Sequence, residues 1–143
     1  MTVRHACDER SIGVGRHFDV STITLLLQDY IGGLDVKKYE TNVWIHIPLV
    51  KGALVINIGD TLQIMRNDKY KSVEHCVIAN GSNNRVSVPI FLHPNTTRVI
   101  GPLKKVLRNR EKPIYKQILY ADYTSIFFNK GHDEKDIIEL AMI

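Results

Sequence analysis

The sequence offers little that would anchor, cross-link or repeat. No run approaches the roughly 20 consecutive apolar residues of a membrane-spanning helix, and no charged stretch followed by an apolar one opens the chain. The expectation is therefore a protein with no membrane partner and no secretory leader. Two cysteines, Cys7 and Cys76, are too few for a disulfide framework, so a reducing, cytoplasmic setting is expected, with Cys76 as a buried thiol. Internal repeats and low-complexity linkers are missing, which excludes a solenoid. Neither βαβ alternation nor a glycine-rich phosphate loop is found, which argues against a doubly wound nucleotide-binding domain. The net charge of +4 invites a nucleic-acid reading. Helix-turn-helix, RNP-like and zinc-finger patterns are all absent, however, and no nucleic-acid partner is expected.

What is present is the composition of one ordinary globular domain: 143 residues, 44% hydrophobic and 24% charged. Short β-rich segments dominate. Thr22–Gln28 is a β-branched and apolar run of strand length, punctuated by Gly32-Gly33, and Leu34-Asp35-Val36 opens a second strand. Asn42–Pro48 alternates and closes on proline. Ala53–Ile58 is a continuous apolar run, the pattern of a buried strand, and Asp60 is placed to cap a short helix through Met65. Ser72–Ala79 and Arg85–His93 are two more strands, and Asn80-Gly81-Ser82-Asn83 between them is a hairpin signal. Pro113 stands in the first turn of an expected helix from Ile114 to about Asn129, with Gly131 at its end. Six or so strands followed by one late helix predict a mainly β fold, an antiparallel barrel or jelly roll.

Three short stretches carry chemistry. His17 and Asp19 are two apart, so on extended backbone both side chains leave one face while Phe18 leaves the other. Alone, such a pair is more often a surface histidine and a turn or cap carboxylate than two ligands. His75 lies in a later strand, and two imidazoles with one carboxylate are the facial ligand set of a non-haem Fe(II) oxygenase. Arg85 and Ser87 also share a face and offer a guanidinium fork and a hydroxyl, a grip for a second carboxylate. A three-residue hairpin loop, 80–82, sets His75 opposite Ser87, whereas a two-residue turn changes that parity. On either count His75, Arg85 and Ser87 fall in one patch. His5, His46, His93 and His132 have no second ligand at a convincing spacing. The basic run Lys104, Lys105, Arg108, Arg110 and Lys112 reads as a solvated surface, with attraction for the phosphates of a CoA ester as the alternative.

Leu25-Leu26-Leu27-Gln28-Asp29, Gly32-Gly33-Leu34, Val55-Ile56-Asn57-Ile58-Gly59-Asp60, Tyr70–His75 and Asn84–Pro89 resemble the plant 2-oxoglutarate/Fe(II)-dependent dioxygenases. Val88-Pro89-Ile90-Phe91, Tyr115–Tyr123 and Phe127–Asp133 are most similar to the feruloyl-CoA and coumaroyl-CoA ortho-hydroxylases of that family. The resemblance implies a double-stranded β-helix (a cupin-like jelly roll) over 11–100, with a C-terminal helical extension over 101–143 and a divergent segment over 1–10. It implies Fe(II) on His17, Asp19 and His75, and 2-oxoglutarate on Arg85 and Ser87, with ascorbate as a supporting reductant. Phe91 would face an aromatic small-molecule substrate, with core packing as its other reading, and O₂ would be the second substrate. The activity implied is ortho-hydroxylation of a phenylpropanoid CoA ester on the route to coumarins.

One departure stands out. Met1–Arg10 does not match the Asn-Tyr-Tyr-Pro segment that precedes the His-x-Asp strand in that family. The chain therefore reads as a C-terminal portion with an incomplete barrel, unpaired strand edges and exposed apolar faces. That leaves two alternatives: a non-catalytic fragment that binds metal only, and a family relative acting on another plant metabolite.

Overall fold

A computed structural model describes residues 3–4, 12–41, 43–79, 81–107, 111–130 and 136–143. Among the described residues ten strands run in chain order: β1 (Val3–Arg4), β2 (Ile12–His17), β3 (Ile23–Gln28), β4 (Leu34–Lys37), β5 (Trp44–His46), β6 (Leu54–Ile58), β7 (His75–Ile78), β8 (Ser87–Leu92), β9 (Val99–Ile100) and β10 (Ile118–Leu119). Helix α1 (Asp60–Met65) lies between β6 and β7, and α2 (Tyr120–Lys130) and α3 (Asp136–Glu139) follow β10. Five strands form one sheet in the order β1-β5-β4-β7-β2, and three form a second in the order β6-β3-β8. Every pairing is antiparallel. This is the expected mainly β, double-stranded β-helix layout, and the two sheets do not close into a barrel.

The jelly-roll chain path overturns one expectation. β7 and β8 are not a hairpin, because β7 belongs to the five-stranded sheet and β8 to the three-stranded one. His75 pairs with Val36 on one side and His17 on the other, whereas Ser87 pairs with Gln28. The turn residues between the strands mark a crossover from sheet to sheet. Local turn chemistry cannot distinguish that from a hairpin, since both need only a reversal.

Three further expectations differ from the structure: the burial of β6 and the starts of two helices. β6 was expected to be buried, but Leu54 and Ile56 are 54% and 62% exposed. Ile23, Leu25 and Leu27 of β3 stand between them and Val88, Ile90 and Leu92 of β8 in register, so one outer sheet face is a lattice of aliphatic side chains. That is the exposed apolar face expected of open sheets. Asp60 is the first residue of α1 and not its cap; Gly59 holds the cap position without a side-chain bond. The late helix begins at Tyr120 and not at Ile114, because Tyr115 bridges Met142 and β10 pairs with β9 before the helix can start. Gly131 lies outside the described residues.

The largest buried cluster is not between the sheets. It joins Ile64 of α1, Ile100 of β9, Tyr115, Tyr120, Tyr123 and Phe127 around α2, and Ile137, Ile138 and Ala141 at the C-terminal end. Buried tyrosines need partners for their hydroxyls. Tyr115 donates to Asp68 at 2.7 Å, Tyr123 donates to Asp60 at 2.9 Å, and Tyr120 shares a 2.6 Å bond with His93. Burial pushes the Asp60 carboxyl up to about 6, with the Tyr123 hydroxyl opposing that rise. Cys76 is fully buried as expected, but it is disulfide-bonded and not a thiol. Two cysteines cannot make a framework, yet a count cannot exclude a single bridge; Cys7 lies outside the described residues. Among the described residues no helix is long and apolar enough to cross a membrane.

The C-terminal cluster matters because α1 is its link to the site. The start of α1 grips the segment after β2: the Asp60 N–H donates to the Asp19 carbonyl at 2.8 Å, Thr61 Oγ1 to the Val20 carbonyl at 2.8 Å, and the Gly59 N–H to the Thr22 carbonyl at 3.1 Å. A Cβ on Gly59 would lie 2.0 Å from the Ser21 carbonyl oxygen and 2.8 Å from that of Asp19. Backbone cannot yield to such a clash as a flexible side chain can. Gly59→Ala is expected to cost about 3 kcal/mol in a urea unfolding curve, at the upper end of overpacking effects.

Candidate metal centre

β2 and β7 pair so that His17 stands directly across from His75, with ring centroids 4.2 Å apart. Asp19 follows two residues after His17 on the same side, and Phe18 turns away to line separate clefts with Tyr39 and Ser72. One oxygen, Asp19 Oδ1, is 3.8 Å from His17 Nε2 and 3.7 Å from His75 Nε2.

Both imidazoles are held by their other nitrogen. His17 Nδ1 bonds the Gly15 carbonyl at 2.8 Å and His75 Nδ1 the Val73 carbonyl at 3.1 Å. A carbonyl accepts only, so each Nδ1 carries the proton and each Nε2 presents a lone pair towards Asp19. Burial lowers the His75 pKa, which keeps the ring neutral as a metal ligand must be. Among the described residues Asp19 Oδ2 is buried without a hydrogen-bond partner. Two lone pairs, one carboxylate and an orphaned buried oxygen, all within 4.8 Å, fit one divalent cation.

Arg85 reaches the same cavity from the loop before β8, and Ser87 from the strand's first position. The guanidinium is held on three sides: Nε donates to the Gly32 carbonyl at 2.5 Å, Nη1 to Ser87 Oγ at 2.7 Å and Nη2 to Gln28 Oε1 at 3.0 Å. Gly32 and Gly33 have φ of +73° and +97°, backbone that favours glycine, and this turn delivers the Gly32 carbonyl to the arginine. Leu26, Leu34, Val77, Pro89 and Phe91 complete a largely apolar wall.

The structure thus brings His17, Asp19, His75, Arg85, Ser87 and Phe91 around one cavity. They meet across the space between the sheets and not along a hairpin. Sequence reasoning gave no role to Gln28, to the Gly32 carbonyl or to Asn57, which also lines the cavity. A usable signal was present: Thr24, Leu26 and Gln28 share one face of β3, so Gln28 is a polar residue on an inward face. His46 is bonded to buried Asp35 at 2.8 Å and lines no such site. Lys104, Lys105 and Lys112 are exposed; Arg108 and Arg110 lie outside the described residues. A larger, mostly apolar cavity by Met65, Leu92, Val99 and Leu103 has no comparable donor set.

The sequence profile of the 2OG-Fe(II) oxygenase superfamily matches residues 3–94, well over half of the chain. The chain belongs to the 2OG-Fe(II) oxygenase superfamily. Fe(II) and 2-oxoglutarate are this family's cofactor and cosubstrate, and the donor set described above suits them. As a member of this oxygenase superfamily it is 59% identical over 135 residues to feruloyl CoA ortho-hydroxylase 2 of Arabidopsis thaliana, covering 94% of this chain and 37% of that protein. It is 50% identical over 137 residues to a bi-functional coumaroyl CoA and feruloyl CoA ortho-hydroxylase of Ruta graveolens, covering 94% of this chain and 37% of the relative. The chain thus spans little more than a third of these relatives' length. Among solved structures, JOX2 in complex with 2OG, Fe and JA superposes with a TM-score of 0.83 at 34% identity, over 92% of this chain and 39% of that one.

Proposed function

We propose that the chain carries the iron and cosubstrate site of a hydroxylase that places oxygen ortho to the side chain of a feruloyl- or coumaroyl-type CoA ester. The observation that carries the reading is the convergence of His17 Nε2, His75 Nε2 and Asp19 Oδ1 on one point, in the cavity that Arg85 also enters. The relatives' names support the substrate class. Fe(II), when bound, supplies the oxidative chemistry by which O₂ and 2-oxoglutarate give succinate, CO₂ and a hydroxylated product.

The chain's own residues would divide the remaining work. His17, Asp19 and His75 would hold the cation through three protein ligands, a set that suits a metal which must also take a cosubstrate. Arg85 and Ser87 take the distal carboxylate of 2-oxoglutarate, which gives the partly desolvated guanidinium its anion. Leu26, Leu34, Val77 and Pro89 keep the cavity wall dry. Phe91 offers a ring to an aromatic substrate, and an ortho-hydroxylated cinnamoyl product can close to a coumarin.

The test is turnover. Purified chain with Fe(II), 2-oxoglutarate and feruloyl-CoA is expected to form succinate only when the CoA ester is present. A second reading, a metal-binding portion that cannot turn over alone, is favoured by the open sheets and the bare aliphatic face of β6, β3 and β8. Succinate from an N-terminally extended version, with none from this chain, would decide for that reading. Substrate-dependent succinate with a flavonoid and none with either CoA ester would overturn the substrate class.

A further inference from the structure

We propose that Gln28 is a positioning residue for 2-oxoglutarate: with the Gly32 carbonyl it aims the Arg85 fork through neutral acceptors, leaving the arginine's charge for the ligand. The inference rests on the reading of Arg85 as the group that takes the distal carboxylate.

A guanidinium has five N–H donors. Gly32, Ser87 and Gln28 take one each, on Nε, Nη1 and Nη2 respectively. Among the described residues one N–H on each terminal nitrogen has no acceptor, which leaves two donors for the two oxygens of a carboxylate. All three acceptors are uncharged. The nearby carboxylate, Asp29, spends its oxygens on the Ile31 and Val86 N–H groups and acts on Arg85 only through space. A carboxylate in Gln28's place would hold the arginine at least as firmly and would compete with the ligand for its charge.

Gln28 is well placed to act as a strut. It is the last residue of β3, paired in register with Ser87 of β8, so the two acceptors Oε1 and Oγ stand side by side across the strand pair. The register sets their separation, and the separation sets the angle of the guanidinium plane. Gly32, on the following turn, fixes the third corner. The fork is thus oriented before the cosubstrate arrives, and little side-chain entropy is lost on binding.

The charge argument makes an unusual rank order. If Gln28 only supports the fold, Gln28→Glu, which is isosteric and keeps an acceptor, should be milder than Gln28→Met. If its neutrality matters, Glu should be worse. Calorimetry on the anaerobic, Fe(II)-loaded chain is expected to show 2-oxoglutarate weakened about thirtyfold by Gln28→Glu and about fivefold by Gln28→Met. Binding of 2-oxobutyrate, which lacks the distal carboxylate, should change less than twofold in both, as should Fe(II) affinity. Thermal melting confirms that each variant is folded, and Gln28→Asn replaces either one that is not: shorter but neutral, it should bind more tightly than Gln28→Glu.

Weaker binding in Gln28→Met than in Gln28→Glu would overturn the proposal. So would equal losses for 2-oxobutyrate and 2-oxoglutarate. Arg85→Leu separates this from the underlying reading. If Arg85→Leu weakens 2-oxoglutarate while both Gln28 variants bind within twofold of the parent, the proposal falls and the arginine's role stands. If Arg85→Leu has no effect, or the parent chain binds no 2-oxoglutarate, the arginine reading fails and takes this proposal with it.

Discussion

His75→Ala is expected to weaken Fe(II) binding by at least about 100-fold and to abolish substrate-dependent succinate formation. The proposed set has three protein ligands, and the other two would not substitute for the third: His17 and Asp19 come from one stretch of chain, while His75 would be the contribution of the neighbouring strand. An alanine there leaves Asp19 with a single imidazole and a void. The fold should tolerate it, since β7 keeps its ladder to β2 and β4. The check is an equilibrium metal titration beside a thermal melt. The expected pattern is lost metal affinity with a melting midpoint close to that of the metal-free parent. A comparable fall in both would mean that His75 is a core histidine after all.

Arg85→Leu is expected to raise the dissociation constant of 2-oxoglutarate by about 100-fold or more without changing Fe(II) affinity. Removing one partner of a partly buried charged pair typically costs 2–5 kcal/mol, which spans that range. The effect should be confined to ligands with a distal carboxylate, because the near end of 2-oxoglutarate would depend on the metal. Binding of 2-oxobutyrate supplies the comparison. Leucine leaves three acceptors, the Gly32 carbonyl, Ser87 Oγ and Gln28 Oε1, without their donor, but none of them belongs to the main hydrophobic cluster. Gross unfolding is not expected.

The legible part of this molecule was its period-2 text. β3, β4, β5 and β6 lie where alternation and punctuation placed them, and His17 and Asp19 line one cavity although β2 ends at His17 and Asp19 follows it in the next segment. Partnership was not legible. The turn between β7 and β8 uses the same residues whether the chain returns in one sheet or crosses to another, and only the second arrangement encloses a cavity. His75 and Arg85 nonetheless meet, because both line the cavity between the sheets.

Burial was the second illegible quantity. Ala53–Ile58 has the composition of a buried strand, yet Leu54 and Ile56 are among the more exposed apolar residues described. Composition reports what a strand can bury, and what is there to cover it is a property of the rest of the structure. The late helix failed for a related reason. Ile114–Leu119 has helical spacing, but Tyr115 is taken by Asp68 and β10 by β9, tertiary partners that override a weak local preference. Gln28 went unassigned because a lone amide at a strand end carries no motif; its place on the inward face of β3 was the one signal, and its bond to Arg85 gives that signal a meaning.

The central claim is that His17, Asp19, His75 and Arg85 make one site, in which the metal and the cosubstrate bind together. It is tested most directly by anaerobic calorimetry of 2-oxoglutarate into the chain with and without Fe(II). The account predicts saturable one-to-one binding to the metal-loaded chain, weakened at least about tenfold when the metal is removed or when His75 is alanine. Equal affinity with and without metal, or unchanged affinity in His75→Ala, would contradict it.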